Sequence, residues 1–398
     1  MKNILKSFLY YLFKNYHKSV CLCAYLNCKS AYLLIKYMQI LGDNMHIFDY
    51  SFLDNGLLPA EIVNLTSSIS AFNAISSTRK DNNKTIYSEL EKIARIQSVK
   101  GSNAIEGIIT TDARIKEIVE ENSAPLNHTE QEIAGYRDAL NEIHTNHSRM
   151  IFSENLILHL HEVMTTIAGY KLSGKYKDED NLILEIDENG KRKVRFIPVD
   201  AKETKNAMEQ LILAYIDARD NPNINKLLLI PCVVLDFLCI HPFSDGNGRV
   251  SRLLTLLLLY KSGFDVGKYV SFEQQINESK DFYYTSLEES SKGWHTNENS
   301  YFDFIKNFLS TLYKCYKELD KRFSTVNGKR LSKTERIEQT VLNSVLPISK
   351  LEICDILEDI SMTTVESVLA KMVKTGSILK LGNARATKYV NKKYIKKQ

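Results

Sequence analysis

Apolar residues recur at every third or fourth position along most of the chain, which is the spacing of amphipathic α-helices. Polar caps at Thr111 and Ser153 precede two of these stretches. We therefore expect a mostly α fold. The pattern predicts helices at Tyr87 to Val99, Asp112 to Glu121, His128 to His147, Ser153 to Thr166, Ala201 to Asp220, Lys226 to Ile240 and Val250 to Tyr260.

One segment alternates in the manner of β-strands instead. Two apolar runs, at residues 182–186 and 194–197, bracket the pair Asn189-Gly190. Tight hairpin turns favour Asn-Gly because both residues tolerate a positive φ. The sequence therefore predicts a β-hairpin over residues 181–197, either a plain surface feature or a binding element.

The segment between the last two predicted helices reads His-Pro-Phe-Ser-Asp-Gly-Asn-Gly-Arg-Val-Ser-Arg at residues 241–252. Gly246, Asn247 and Gly248 permit a tight turn that exposes backbone N–H groups at the positive end of the following helix. Such a helix start binds anions. Arg249 and Arg252 stand three residues apart on its first turn, so both can reach a phosphate. The segment predicts a phosphate site.

Two titratable side chains add chemistry to this anion site. Asp245 supplies a hard oxygen, the ligand type that suits Mg²⁺ on a polyphosphate. His241 ends the preceding helix, and an imidazole can act as a general base near neutral pH. Together they predict phosphoryl or nucleotidyl transfer to a hydroxyl. The competing interpretation is a capped helix start with a buried histidine and no chemistry.

Residues 241–252 resemble, position for position, the HxFx(D/E)GNGRxxR motif of the Fic family. The resemblance implies a Fic-type helical bundle and an enzyme, a protein adenylyltransferase. Such an enzyme uses Mg²⁺ as cofactor and transfers AMP from ATP to a Ser, Thr or Tyr hydroxyl of a protein, itself included. The implied catalytic residues are His241, Asp245 (also the metal ligand), Asn247 and Arg249, and the implied nucleotide contacts are Gly246, Asn247, Gly248, Arg249 and Arg252.

Other activities stay as alternatives to AMP transfer. Within the Fic family they are UMP transfer, phosphocholine transfer and removal of AMP. A further alternative is a DNA-binding regulator whose nucleotide pocket serves as a sensor. An intact His241 argues against the regulator, because nucleotide binding alone needs no general base.

An upstream segment resembles the (S/T)xxxE(G/N) inhibitory motif of Fic proteins. Ser102, Glu106 and Gly107 occupy its three defined positions. The resemblance implies that Glu106 is a buried or half-buried carboxylate paired with Arg252, so that ATP binds unproductively. An ordinary helix end at Gly107 is the alternative.

The predicted hairpin stands where Fic proteins carry a flap that docks the target segment by strand addition. The resemblance places this role on Lys193, Val194, Arg195 and Phe196. Two departures leave the target open: Lys177 stands where many relatives carry Arg, and Pro198 is alone where two prolines are common.

Tyr283 and Tyr284 resemble a tyrosine pair that borders the adenine in the family. Tyrosine rings suit this role because they stack broadly and keep a polar tip. Ser291 stands where some relatives have an asparagine, which weakens the inference of base recognition. One of the two rings serving the core is the alternative.

The last part of the chain, residues 334–398, resembles a winged helix-turn-helix domain. Short helices are predicted from Lys350 to Leu357 and, capped by Ser361, to Thr375, followed by two strands that turn at Gly382-Asn383. From Lys371 onward there are nine Lys or Arg residues and no acid. This basic stretch suits DNA phosphates. A protein-binding surface is the alternative.

Length and composition divide the 398 residues further. The predicted parts are an extension at 1–44, a helical region with the inhibitory helix at 45–150, the Fic core at 151–320, a linker at 321–333 and the winged helix. We interpret 1–44 as translated upstream sequence before Met45, with a membrane-surface helix as the alternative. Seven cysteines without a CxxC pair favour a cytoplasmic protein. A homo-oligomer is compatible with the sequence, and no membrane partner is expected.

Overall fold

The structure is a computed structural model that describes residues 46–186, 192–327, 332–344, 347–357, 360–382 and 387–392. It is mostly helical, which confirms the predicted fold class. No helix in these ranges is both long and apolar enough to cross a membrane. The predicted extension at residues 1–44 lies outside the described residues.

The α-helices of the described residues are numbered in chain order. They are α1 Phe52–Asn55, α2 Ala60–Asn82, α3 Lys84–Ile105, α4 Asp112–Glu120, α5 His128–Asn146, α6 Glu154–Thr166, α7 Ala201–Asp220, α8 Lys226–Ile240, α9 Asn247–Lys261, α10 Phe272–Glu278, α11 Lys280–Ser291, α12 Phe302–Asn327, α13 Lys333–Asn343, α14 Lys350–Ile356 and α15 Met362–Lys374. The strands are β1 Ile183–Ile186, β2 Arg192–Phe196, β3 Ile348–Ser349, β4 Ile378–Leu381 and β5 Lys388–Asn391.

The chain divides into two compact units. Of the described residues, one unit contains 46–63, 125–186, 192–263 and 279–309, and the other contains 64–124, 264–278 and those from 310 onward. The predicted boundary at residue 150 falls inside the first unit, where α5 packs on α6. The domain boundaries proposed from the sequence otherwise stay predictions.

The core of the first unit contains α8, which is buried at every position from Leu227 to Ile240. This explains its apolar sequence, in which Asp236 is the one charged residue after Lys226, because a helix surrounded by protein needs no polar face. Helices α5 and α6 approach closely at Gly135. A Cβ at that position would lie 2.0 Å from the carbonyl oxygen of Met164, so no larger residue fits without moving the backbone.

The predicted hairpin is confirmed in the same unit. Strands β1 and β2 pair antiparallel, with Ile183 opposite Phe196 and Ile186 opposite Arg192. The turn at Asn189-Gly190 lies outside the described residues.

In the second unit, α3 packs on α10. A Cβ at Gly101 would lie 2.9 Å from the backbone nitrogen of Gln274, so glycine permits this approach. The Ser98 hydroxyl donates a hydrogen bond of 2.8 Å to the buried carboxylate of Glu273. These contacts position the last turns of α3, which carry Ser102.

The C-terminal part of the second unit has an apolar core of its own. Helices α13, α14 and α15 pack with an antiparallel sheet of order β3-β5-β4. Ser361 caps α15, as the sequence predicted, and Ser349 caps α14. Strand β3 was not predicted, because two residues carry no alternating pattern. The assignment of these elements as a winged helix stays a prediction.

The structure differs from the predicted linker at residues 321–333. Helix α12 continues to Asn327. The reason is visible in its packing, because Leu319 and Phe323 are both buried and stand four residues apart on one helix face.

Candidate active site

The motif loop, residues 241–246, connects α8 to α9 through two left-handed residues. His241 has φ 52° and ψ 61°, and Gly246 has φ 82°. A Cβ at Gly246 would also lie 2.7 Å from the Cε atom of Met164. Because the end of the Met164 side chain can move, it is the left-handed conformation that favours glycine at 246.

Asn247 closes the motif loop. Its Oδ1 accepts a hydrogen bond of 2.9 Å from the backbone N–H of Phe243, and its Nδ2 donates one of 2.7 Å to the Phe243 carbonyl. Asn181, before the hairpin, donates a further bond of 3.2 Å to the same carbonyl. The Asn247 side chain thus stabilises the conformation of the motif loop.

A second histidine, His161 on α6, packs against the motif loop. Its ring stacks on Phe243 with 3.8 Å between centroids. The backbone N–H of Gly174 donates to Nδ1 at 3.0 Å, so the opposite nitrogen, Nε2, carries the proton and donates to the Asp245 carbonyl at 3.2 Å. Burial lowers the pKa of His161 to about 4, which keeps this tautomer neutral.

The two histidines of α6 lie in different environments. His161 is buried, whereas His159 is exposed with Nε2 2.9 Å from the Glu142 carboxylate. No local sequence pattern indicates that His161 holds the motif loop.

The contacts of His241 indicate which of its ring nitrogens carries the proton. Its Nδ1 lies 3.3 Å from the carbonyl oxygen of Leu238. A carbonyl only accepts, so Nδ1 is the protonated nitrogen and Nε2 carries the lone pair. The residue is half-buried at the end of α8.

Arg249 lies at the centre of a buried polar network. Its Nη2 donates to Glu132 at 3.0 Å and to the Tyr170 hydroxyl at 3.1 Å. The Tyr170 hydroxyl donates to Glu132 and lies 3.1 Å from Oδ2 of Asp245. Burial raises the pKa of the Tyr170 hydroxyl, which therefore keeps its proton.

Two other nitrogens of Arg249 are not satisfied. Its Nε and Nη1 are buried and have no hydrogen-bond acceptor in the part of the chain that the structure describes. The side chain is only 2% exposed. A buried donor without an acceptor costs about 1–3 kcal/mol, so this arrangement suits an anionic ligand that supplies the missing acceptors.

Lys177 fixes the join between α8 and the motif loop. Its ammonium group donates to Asn181 at 2.8 Å and to the Ile240 carbonyl at 3.4 Å, while its backbone N–H donates to Pro242 at 2.9 Å. Burial lowers the pKa of Lys177 to about 8. The residue that departs from the family pattern is thus part of the loop's support.

The remaining predicted residues of the first unit fall into three environments. Arg252 is buried on α9. Tyr283 is buried against Phe304, whereas Tyr284 is half-buried with the Arg195 guanidinium 5.5 Å above its ring. Tyr283 is therefore a core residue. Lys193 and Val194 are exposed on the hairpin, and Arg195 and Phe196 are half-buried.

The predicted inhibitory residues belong to the second unit. Ser102 is buried on α3, and Gly107 has φ 80°, which ends the helix. Glu106 is exposed, so the expectation of a buried or half-buried carboxylate is wrong. The reason is local, because α3 ends at Ile105 and Glu106 begins the turn that leaves it.

Comparisons with known proteins address this site directly. Residues 151–259 match the model of the Fic/DOC family. The chain is 28% identical over 182 residues to the protein adenylyltransferase Fic of Nematostella vectensis, an alignment that covers 44% of this chain and 39% of the relative. It is 37% identical over 86 residues to a Fido domain-containing protein of Dictyostelium discoideum, covering 19% of this chain and 56% of that protein.

Two crystal structures share the fold. A Fic family protein from Desulfovibrio desulfuricans G20 has a TM-score of 0.56 at 18% identity, covering 86% of this chain and 98% of its own. A Fic domain containing signaling protein from Bacteroides thetaiotaomicron has a TM-score of 0.52 at 17% identity, covering 69% of this chain and all of its own.

The helical bundle, in which a glycine-flanked loop connects α8 to α9 beside a histidine, defines a fold class that both crystal structures share. The particular domain follows from the match at residues 151–259: the chain contains a Fic/DOC domain. The chain matches less than two thirds of the length of each of these two relatives, the Nematostella and the Dictyostelium proteins.

Proposed function

We propose that this chain is a protein adenylyltransferase that transfers AMP from ATP to a Ser, Thr or Tyr hydroxyl. The observation that carries the proposal is the buried Arg249 with two unsatisfied nitrogens beside a helix start. The oxygens of a polyphosphate would accept hydrogen bonds from the Arg249 nitrogens and from the backbone N–H groups at the start of α9. The curated relative named a protein adenylyltransferase supports the choice of reaction.

The proposed reaction assigns one task to each residue of the motif loop. Nε2 of His241 removes the proton from the target hydroxyl as its oxygen attacks the α-phosphorus. The new P–O bond forms as the bond to the β-phosphate breaks, and pyrophosphate leaves. Arg249 and the N–H groups at the start of α9 neutralise the charge on the phosphates. His161 and Asn247 keep these groups in place.

Mg²⁺ fits this site through Asp245. The described residues contain no group of three or more His, Cys, Asp or Glu side chains that could enclose a metal alone. One exposed carboxylate suits Mg²⁺, which is usually held by one or two carboxylates together with substrate phosphates and water. When bound, the ion supplies neutralisation of the phosphate charge.

We further propose that the hairpin docks the target. Leu184 and Val194 are 47% and 44% exposed on a two-stranded sheet, which offers an apolar surface and an open edge. An extended segment can add to such an edge through backbone hydrogen bonds.

Intact-mass analysis tests the proposed reaction. The full chain is incubated with ATP, with UTP or without nucleotide, each with and without Mg²⁺. A mass increase of one AMP that requires both ATP and Mg²⁺ supports adenylyl transfer. A mass increase of one UMP with UTP would indicate UMP transfer instead. No mass change of the chain, or of candidate target proteins added to it, with either nucleotide would contradict nucleotidyl transfer.

The first prediction concerns Glu106. We expect Glu106→Gly to increase self-modification with ATP several-fold, because the inhibitory motif implies a carboxylate that competes with phosphate for a motif arginine. The measurement is the rate of AMP incorporation by intact mass. Glu121→Gly, an exposed acid in the same unit, is the control. Equal rates for wild type and Glu106→Gly would remove the inhibitory role.

A second candidate function is DNA binding by the C-terminal domain. The nine basic residues from Lys371 onward have no acidic neighbour in sequence, and Lys371, Lys374 and Lys380 are exposed. A charged surface of this kind binds DNA phosphates in place of counterions.

The second prediction follows from this charge. We expect the full chain to bind random duplex DNA with an affinity that falls steeply between two salt concentrations, as fluorescence anisotropy would measure. Replacing Lys371, Lys374 and Lys380 with Gln should weaken binding and reduce the salt slope. Absence of binding at low salt would leave the protein-binding alternative.

A further inference from the structure

A cavity of about 250 Å³ lies in the first unit, and the reaction proposed above does not use it. Aromatic side chains form its floor. The ring of His46 stacks on Trp294 with 4.0 Å between centroids, and Phe48 packs edge-on against both. Residues 197–199 and His295 line one side. Such a surface accepts an apolar or cationic group.

Two carboxylates, Asp200 and Glu203, also line the cavity at the start of α7. Asp200 occupies the N-cap position, but its side chain makes no capping hydrogen bond. Asp180 performs that task instead, since its Oδ1 accepts from the Ala201 N–H at 2.7 Å. The carboxylate of Asp200 is therefore not needed to cap the helix.

The charge of this cavity is negative. Neither carboxylate forms a hydrogen bond or ion pair with a side chain in the described ranges of the chain. Lys177 is a more distant cation that interacts electrostatically with Asp200. Burial lowers the pKa of His46 to about 4, so this ring is neutral. The start of a helix carries only about half a positive charge, which two carboxylates exceed.

The position of the cavity connects it to the hairpin. Its lining begins at Ile197, the residue that follows β2. His295 donates a hydrogen bond of 2.7 Å from Nε2 to the Ile197 carbonyl, and its ring stacks on Phe196 at 5.4 Å. Ile197 itself is 58% exposed. A segment that pairs with β2 would thus reach the cavity at the end of the strand.

We propose that this cavity binds a lysine or arginine side chain of the target segment that pairs with the hairpin. The proposal rests on the proposed docking function and adds the chemistry of the residue recognised. The aliphatic stem of the side chain packs on Phe48 and Trp294, and its cation pairs with Asp200 and Glu203. A neutral side chain of the same length would leave both carboxylates without a counter-charge.

The molecule contains a reporter for this test, because Trp294 is the only tryptophan in the chain and lines the cavity. The probes are the capped peptide Val-Thr-Val-Thr-Val-Arg and its twin that ends in Gln. Tryptophan fluorescence of the full chain is titrated with each at low and high salt. We expect the Arg peptide to bind about tenfold more tightly at low salt, with a smaller difference at high salt.

The double variant Asp200→Asn, Glu203→Gln should abolish the preference for Arg. The control is Asp217→Asn, Glu209→Gln, which changes the same charge on exposed positions of the same helix and should keep it. Equal thermal midpoints of both variants exclude misfolding. Equal affinity of the two peptides for wild type, no binding of either peptide, or equal loss in the control variant would overturn the proposal.

This titration contains no nucleotide. A chain that prefers the Arg peptide but never incorporates AMP would retain the cavity assignment and lose the proposed reaction. A chain that incorporates AMP but shows no preference would lose the cavity assignment alone.

Discussion

His241→Ala is expected to reduce AMP incorporation by about a hundredfold or more, because a positioned general base contributes about 10²–10⁴ to such transfers. Binding of ATP should change little, since the groups proposed to bind the phosphates lie on α9. The Glu106→Gly background gives the larger signal for measuring the rate by intact mass. Calorimetry measures ATP binding in parallel.

The control is His159→Ala, which removes an exposed histidine that contacts Glu142 away from the motif loop. It should keep the wild-type rate. Unchanged incorporation by His241→Ala would show that another group accepts the proton. A loss of ATP binding together with the rate would show instead that His241 supports the loop.

The sequence predicted the turn of the motif loop and its two adjoining helices because these features are local. The glycine turn, the arginine pair and the adjoining helices lie within residues 226–261, where spacing alone fixes which groups can meet. The hairpin was likewise predicted by alternation over neighbouring residues, and its pairing is confirmed.

The support of the loop could not be predicted, because it comes from distant parts of the chain. Glu132 stands 117 positions before Arg249, on a helix that contains several other acids. Nothing in its local pattern distinguishes it from a solvated charge. The same is true of Tyr170, whose role depends on bringing Asp245 and Arg249 to one hydroxyl.

One buried site did have a sequence signal. Asp236 is the only acid within the apolar run of α8. A carboxylate in a fully buried helix requires partners, since burying it without them is costly. The sequence could therefore have indicated a polar cluster there, although not the distant residues that form it.

Those partners make Asp236 the basis of the largest expected change in stability. Its carboxylate is fully buried and accepts hydrogen bonds from Tyr50 at 2.7 Å, from the Trp294 indole at 2.8 Å and from Tyr301 at 2.9 Å. Asp236→Ala leaves these three donors without their acceptor. We expect the free energy of unfolding to fall by about 3–5 kcal/mol, because each orphaned donor costs about 1–3 kcal/mol.

The same residue is expected to make stability depend on pH. Burial raises the pKa of Asp236 from 3.8 to about 7, against the opposing effect of its three donors. Between these values the unfolded chain releases a proton that the folded chain keeps. The stabilisation from this group is therefore present below about pH 4 and is lost as the pH rises through 7.

His46 contributes the opposite slope. Its Nε2 lies 3.7 Å from Asp236, but burial lowers its pKa to about 4, so the two groups are both neutral at intermediate pH and do not form an ion pair. Its contribution to stability rises with pH between about 4 and 6.5. A comparison of variants, rather than the wild-type curve alone, is needed to separate the two groups.

Thermal unfolding at pH values from 4 to 8 provides this comparison. The difference between wild type and Asp236→Ala should be largest near pH 4 and decrease towards pH 8, because the wild-type carboxyl ionises at a cost over that range. Cys239→Ala, which shortens another buried side chain on α8, should give a smaller loss with no such pH dependence. A difference that stays constant from pH 4 to 8 would show that Asp236 is ionised throughout, and its three donors would then outweigh its burial.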